Sequence, residues 1–400
     1  MSDKLLLTFN AGSSSVKIGL FVRQGGKARR IGKGMIDFRA LFLGTDEEVA
    51  WAFVEGPQIF DVPLEARSDD LLHDVLEETF SWLAAHYDLD AVTAVGHRVV
   101  HGGDRFADPV LVTDESTAAI AALIPLAPLH QPQNIRLIQA IHDLKPGLPQ
   151  TVSFDTAFHR SQSETVQRFA IPREWFDKGI KRYGFHGLSY AYIARVLKAL
   201  EPERAGGRAV VAHLGSGASL CAMERGISRD TSMGFSTIDG VPMATRSGAI
   251  DPGVFFHLIH GHGLSVDQVE TMIYQQSGLL GLSGISADSR VLLESNARQA
   301  REAIDVFTFR IAGEVARLAA TLGGLDTLVL TAGIGENQPA IRKAVCERLA
   351  FLGVVLDPLA NDRNAAVIST ASSGIMVRVI ATDEEQVIAD DMLSVLDRQR

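Results

Sequence analysis

The sequence predicts an α/β fold of two domains with an internal duplication, and three observations carry that prediction. Short apolar runs that read as buried strands alternate with stretches of helical periodicity. The strand-turn-strand pattern near the start, around "FNAGSSSVKIG", returns about half a chain later in "AVVAHLGSGASLCAMERG", Ala209 to Gly226. A chain of 400 residues also exceeds what a single core commonly organises.

Lys4 to Phe9 is short and apolar enough for a buried strand, and Ser15 to Val22 gives a second after a Gly/Ser turn, a hairpin signal. Helical spacing covers Asp70 to His86, Thr117 to Leu123, Asn134 to Leu144, Tyr190 to Leu200 and Ala300 to Leu322. "LDTLVLTAGIGENQPAIRKAV", Leu325 to Val345, runs from a strand through a Gly-rich turn into an amphipathic helix. Such a unit points loop amides and a helix N-terminus at a ligand. Near the end, Thr382 and Glu385 stand at capping-box spacing and start a terminal helix. The polar segment Asp155 to Ser163 is the best boundary, which divides the chain into 1–155 and 156–383, with the helix 384–400 packed back on the first domain.

Composition narrows the function classes. Apolar residues are 46% and charged residues 22% of the chain, as in ordinary soluble globular proteins. A net charge of −10 argues against general nucleic-acid binding, which needs a basic footprint. Cys221 and Cys346 offer no disulfide framework or metal knuckle and read as packing residues in a reducing compartment. No secretory signal or membrane-length apolar run is seen, so a cytoplasmic location is expected.

Any bound anion must then be held by local groups. "GSSSVK" could cradle phosphate through unobstructed amides, although a plain hairpin turn would look the same. It is not a Walker A loop, since Lys17 lies within the second strand rather than at a helix start. The echo in "HLGSGAS" favours a phosphate role. Arg98, in "GHRVVHGG", could bind a carboxylate or phosphate through two hydrogen bonds, or form a surface ion pair. His130 sits in a proline-framed loop, Asp155 ends a strand-like run, His186 lies in the glycine-bounded "YGFHG", and Arg246 precedes a Gly break. Phosphoryl transfer would need two convergent arginines and a divalent metal. With no His/Cys metal spacing, that metal would be Mg²⁺ held by few oxygens, and Asn10 and Glu384 could supply them.

The ordered set "NAGSSSVK", "GHRVVHGG", "APLHQP", "FDTAFH", "RYGFHG", "HLGSGAS", "SGLLGLSGISADSR", "TAGIGEN" and "ATDEEQVIADD" resembles the acetate kinase family nearly end to end. That family lies within the acetate and sugar kinase, heat-shock chaperone and actin superfamily. The resemblance implies a homodimer whose two domains share a duplicated ribonuclease-H-like core, an actin-like ATPase fold with the nucleotide in the interdomain cleft. It implies reversible transfer between ATP and acetate, giving ADP and acetyl phosphate, with Mg²⁺ or Mn²⁺. Carried over by motif, Asn10 and Glu384 hold the metal. Lys17 with His213, Leu214, Gly215, Ser216 and Gly217 contacts the ATP phosphates. Asp288, Ser289 and Arg290, with Gly333, Ile334, Gly335, Glu336 and Asn337, surround the adenosine. Arg98 binds the carboxylate, Asp155 is the family's acid/base residue, and Arg246, His186 and His130 steady the moving phosphoryl group. Val100, Leu129 and Phe185 match the pocket for the acyl methyl.

One role changes on physical grounds. A short carboxylic acid is already ionised at neutral pH and needs no general base, so Asp155 is expected to orient the nucleophile or the metal. The sequence departs from the family pattern at Ser216, where Asn is usual in the phosphate loop. "APLHNP" becomes "APLHQP", "YGFHGTSH" becomes "YGFHGLSY", and Thr237 replaces a usual Pro in the pocket stretch. A propionate kinase is therefore an alternative to acetate, and a non-catalytic, nucleotide-gated actin-like binding protein is the alternative from another class.

Overall fold

The computed structural model describes residues 4–12, 15–37, 50–55, 58–63, 72–87, 91–200, 202 and 207–399. Ser13 and Ser14 of the first Gly/Ser turn, and the expected helix start at Asp70, lie outside the described residues. The chain forms two compact units, Met1–Ala157 with Asp383–Arg400, and Phe158–Thr382.

The first unit is built on an eight-stranded sheet of order β5-β4-β3-β2-β1-β6-β8-β7. Its strands are β1 (Leu5–Ala11), β2 (Ser15–Gln24), β3 (Lys27–Asp37), β4 (Ala50–Glu55), β5 (Gln58–Pro63), β6 (Val92–Val99), β7 (Val110–Leu111) and β8 (Gln150–Phe154). Every residue of β1 is buried, because the sheet is covered on both faces and the strand's two-residue alternation feeds a core on each. Leu5, Leu7 and Phe9 join Ile18, Leu137 and Ile141 on one side. On the other, Leu6, Phe21 and Ala94 meet Ala389, Met392 and Leu393 of the terminal helix Glu384–Asp397. That packing explains Gly96 on β6, where a β-carbon would lie 2.7 Å from Cγ2 of Ile388.

Helices α1 (Leu72–His86), α2 (Asp114–Ala121) and α3 (Gln131–Leu144) complete this unit. The last two begin earlier than their apolar spacing suggests. Thr113 and Ser116 form a capping box ahead of α2. Pro132 sits in the first turn of α3, where a missing N–H costs nothing. The capping box read at Thr382 and Glu385 is not formed. Asp383 caps the terminal helix instead, accepting from the Gln386 amide at 3.0 Å.

The second unit carries a five-stranded sheet of order β11-β10-β9-β12-β13. These strands are β9 (Arg208–Leu214), β10 (Ala218–Glu224), β11 (Ile227–Thr231), β12 (Thr327–Thr331) and β13 (Met376–Val379). Its helices include α4 (Gly187–Leu200), α5 (Pro252–His262), α6 (Arg298–Leu322), α7 (Ala332–Asn337) and α8 (Pro339–Arg348). Strands β9, β10 and β11 pair antiparallel, while β9-β12 and β12-β13 are parallel. The run β3-β2-β1-β6-β8 has the same order and directions. The duplication read from the two hairpins is thus a duplication of a whole sheet.

Candidate active site

Each hairpin places candidate residues one step before its turn. Asn10 on β1 lies opposite Lys17 on β2, and His213 on β9 lies opposite Ser219 on β10. Directly opposed residues of an antiparallel pair project to the same face, so the exposed Lys17 shares a face with Asn10. The turns are tied by backbone bonds, Gly12 N to Ser15 O at 2.8 Å and Gly215 N to Gly217 O at 3.0 Å.

In the first unit four of the sequence-selected residues form one hydrogen-bonded cluster. The Asn10 amide donates to Oε2 of Glu384 at 2.7 Å and to Oε1 of Glu385 at 2.9 Å. Arg98 leaves β6 and meets Asp155, just beyond β8, with Nε on Oδ1 at 3.0 Å and Nη2 on Oδ2 at 2.6 Å. Its Nη1 donates to the Ala11 carbonyl at 3.1 Å and to Oδ1 of Asn10 at 3.4 Å. This two-pronged pair is largely desolvated, with side chains 12% and 1% exposed. Burial alone would lower the Arg98 pKa, but Asp155, with Glu384 and Glu385 behind it, raises it above the ordinary arginine value. Arg98 is therefore a fixed cation.

The loop after β6 is held by α3. Asn134 Oδ1 accepts from the Val100 amide at 3.1 Å. Gln131, fully buried, accepts from His101 N at 3.2 Å and donates to His101 O at 2.9 Å. Gln131 is the residue of "APLHQP" that replaces the family's usual Asn. Val100 is buried, whereas Leu129 is 42% exposed and His130 opens α3 at its N-cap position. His97 and His101 are buried, and desolvation lowers both to about 4, so they are neutral spacers at neutral pH.

In the second unit His186 and His213 stack, with ring centroids 4.3 Å apart and planes 18° from parallel. A β-carbon on Gly217 would lie 3.4 Å from Nε2 of His186 and 3.7 Å from Nη1 of Arg246. The Gly215–Gly217 turn thus gathers His186, His213 and Arg246 around it. Arg246 is steadied by the Thr237 carbonyl, which accepts from Nη1 at 3.2 Å. Phe185 is buried, and its carbonyl accepts from Nε2 of His159 at 3.0 Å. Burial lowers His159 to about 4 against the opposing pull of that carbonyl and Asp230, so the ring acts as a neutral brace.

The remaining candidates lie on two short helical starts. Asp288 caps the helix Ser289–Glu294 and also pairs with the exposed Arg290. Gly333 to Asn337 form α7 rather than an open turn, entered through Ala332 at φ +63°. Glu336 accepts from the Thr382 amide at 3.0 Å, so its carboxylate is engaged in bracing this loop.

Arg342 was not singled out in the sequence because it reads as one more charge on an amphipathic helix. It is fully buried and donates to the carbonyls of Gly335 and Glu336, and to Oδ1 and the carbonyl of Asn361 and Oδ1 of Asn364. Substituting Met for Arg342 strands the buried acceptors among these, the Gly335 carbonyl and both oxygens of Asn361, at about 1–3 kcal/mol each. The expected result is a loss of at least about 3 kcal/mol in urea unfolding monitored at equilibrium, with an unchanged m-value.

The "Acetokinase family" model matches residues 5–390. The chain belongs to that family. It is 43% identical over 400 residues to an acetate kinase of Methylocella silvestris, covering 99% of both chains. Among solved structures it is similar to a propionate kinase from Francisella tularensis, with TM-score 0.89, 36% identity, and 97% of this chain and 98% of that one covered. It is also similar to Porphyromonas gingivalis acetate kinase, with TM-score 0.85, 35% identity, and 98% and 100% covered. These likenesses agree with the two-domain, actin-like fold expected from the motifs, and this acetokinase-family chain is a kinase.

Proposed function

We propose that this chain transfers the terminal phosphoryl group of ATP to acetate, reversibly, giving acetyl phosphate and ADP. The observation that carries the reading is the Asn10, Arg98, Asp155 and Glu384 cluster, a fixed cation beside a set of oxygen donors. In this reading Arg98 attracts the acetate carboxylate, and Asp155 holds the guanidinium plane so that one oxygen of the nucleophile is aimed rather than deprotonated. His186 and Arg246, beside the Gly215–Gly217 turn, stabilise charge on the moving group.

The donor set suits a hard divalent cation. Asn10 brings Glu384 and Glu385 within reach of one amide, and these are oxygen ligands of the kind Mg²⁺ takes. Among the described residues no group of three or more His, Cys, Asp or Glu side chains could hold a metal. Water and phosphate oxygens would fill the other positions, and the ion would offset phosphate charge.

The likeness to a propionate kinase favours a second reading, with propionate as acceptor. One methylene is worth about 1–3 kcal/mol, so both acids are expected to react. Hydroxylamine trapping with ATP should yield acetyl hydroxamate, and competition should give a higher kcat/KM for acetate than for propionate. A reversed ratio selects propionate, and ATP hydrolysis without any hydroxamate selects the nucleotide-gated binding protein.

Assembly follows the same reading. Helix α5 buries none of its residues despite its apolar sequence, and Phe256 on it is 62% exposed. We propose this face for the homodimer. Light scattering should give twice the chain mass, falling to the monomer mass in Phe256→Glu.

No helix of the described residues is long and apolar enough to cross a membrane.

A further inference from the structure

The stacked histidines are each tied at Nδ1 to a buried serine. Nδ1 of His186 lies 2.7 Å from Oγ of Ser219, which lies 2.5 Å from the Tyr190 hydroxyl. Nδ1 of His213 lies 2.8 Å from Oγ of Ser189, which lies 2.8 Å from Oγ1 of Thr382. Tyr190, Ser219 and Ser189 are all fully buried. His186 also holds a left-handed backbone, φ +59°, a conformation that costs a non-glycine residue energy and persists only where its surroundings fix it.

We propose that Tyr190 and Ser219 are positioning residues that set which nitrogen of His186 carries the proton. The assignment rests on the reading of the Gly215–Gly217 turn as a phosphate site. A hydroxyl can donate or accept, so the direction of the chain follows the relative acidity of its members. The phenol is the more acidic of the two hydroxyls and donates to Ser219. Ser219 then donates its own proton to Nδ1, and the neutral imidazole keeps its proton on Nε2. Nε2 is the nitrogen that faces Gly217. A phosphate oxygen only accepts, so the ring must meet it with an N–H; the opposite tautomer would present a lone pair and repel it.

Tyr190 stands where the motif "YGFHGTSH" ends in His, and it lies one turn along α4 from His186, whose carbonyl accepts from its amide at 3.1 Å. The same helical turn therefore supplies the ring that bonds and the hydroxyl that orients it. The opposition of Ser219 to His213 across the β9-β10 ladder fixes the third member.

The test is a long-range proton–nitrogen NMR correlation on the full chain labelled in its histidines, at about pH 8, where an ordinary imidazole is neutral. The His186 signal is identified by its loss in His186→Gln. The wild type should show Nε2–H. Ser219→Ala and Tyr190→Phe should each shift the population toward Nδ1–H, and kcat should fall about tenfold in Ser219→Ala, with KM for acetate unchanged and partial rescue in Ser219→Thr. An Nδ1–H signal in the wild type, or an unchanged tautomer in folded Tyr190→Phe, overturns the proposal. The expected tautomers in a protein that forms no acyl phosphate would uphold the relay and defeat only the carboxylate-kinase reading.

Discussion

Replacing Arg98 with alanine is expected to cost both stability and acetate affinity, and the two losses should separate. Removing one partner of a desolvated pair leaves the other as an uncompensated charge, at about 3–5 kcal/mol. Asp155 is 1% exposed, so it cannot recover that solvation from water. The melting temperature should drop by roughly 10 °C on the scale for domains of this size. KM for acetate should rise at least about tenfold, or ~1.4 kcal/mol, with a smaller change in kcat. The double variant Arg98→Ala with Asp155→Ala removes the stranded charge, so it should regain most of the lost stability while remaining poor in acetate. A double variant as unstable as the single one would mean that the pair is not what Arg98 contributes to the fold.

The sequence made this pair visible only in half. Arg98 and Asp155 stood out separately, each at the end of an apolar strand, but nothing in their spacing showed that β6 and β8 are parallel neighbours that bring them together. The hairpins were legible because Gly/Ser turns punctuate strands locally, and from them came the duplication. Strands β3, β4, β5, β7, β11 and β13 are not legible in the sequence, because their positions are set by pairing partners rather than by their own patterns. Glu385 was read as a helix-capping residue, yet its carboxylate joins Glu384 at Asn10. Helix-start spacing is the same for both roles. Arg342 is silent for a related reason: a buried polar side chain that serves one loop looks in sequence like any surface residue. Gln131 and Tyr190 show in sequence only as departures from a family motif, with nothing local to say what they bond.

Thr237, the departure in the pocket stretch, also gives its backbone carbonyl to Arg246. Any residue has that carbonyl, so the substitution need not alter the arginine it steadies.

Arg246 itself carries the second large expectation. Charge spreads over the phosphoryl oxygens as transfer proceeds, and a preorganised cation beside that position acts mainly in the transition state. Its Nη1 is fixed beside Gly217, within reach of what the turn would hold. Arg246→Ala should therefore lower kcat by about 10²–10³-fold while KM for acetate stays within about threefold. Arg246→Lys keeps a charge but loses the planar fork, and should recover only part of the rate. The contrast with Arg98 is the decisive comparison, since the two arginines differ in when they act. Arg98, committed to Asp155 at rest, should govern capture of the acid, and Arg246 the chemical step. If Arg246→Ala instead raised KM for acetate at constant kcat, the two roles would have to be exchanged, and the cluster at Asn10 would lose its standing as the acid's binding site.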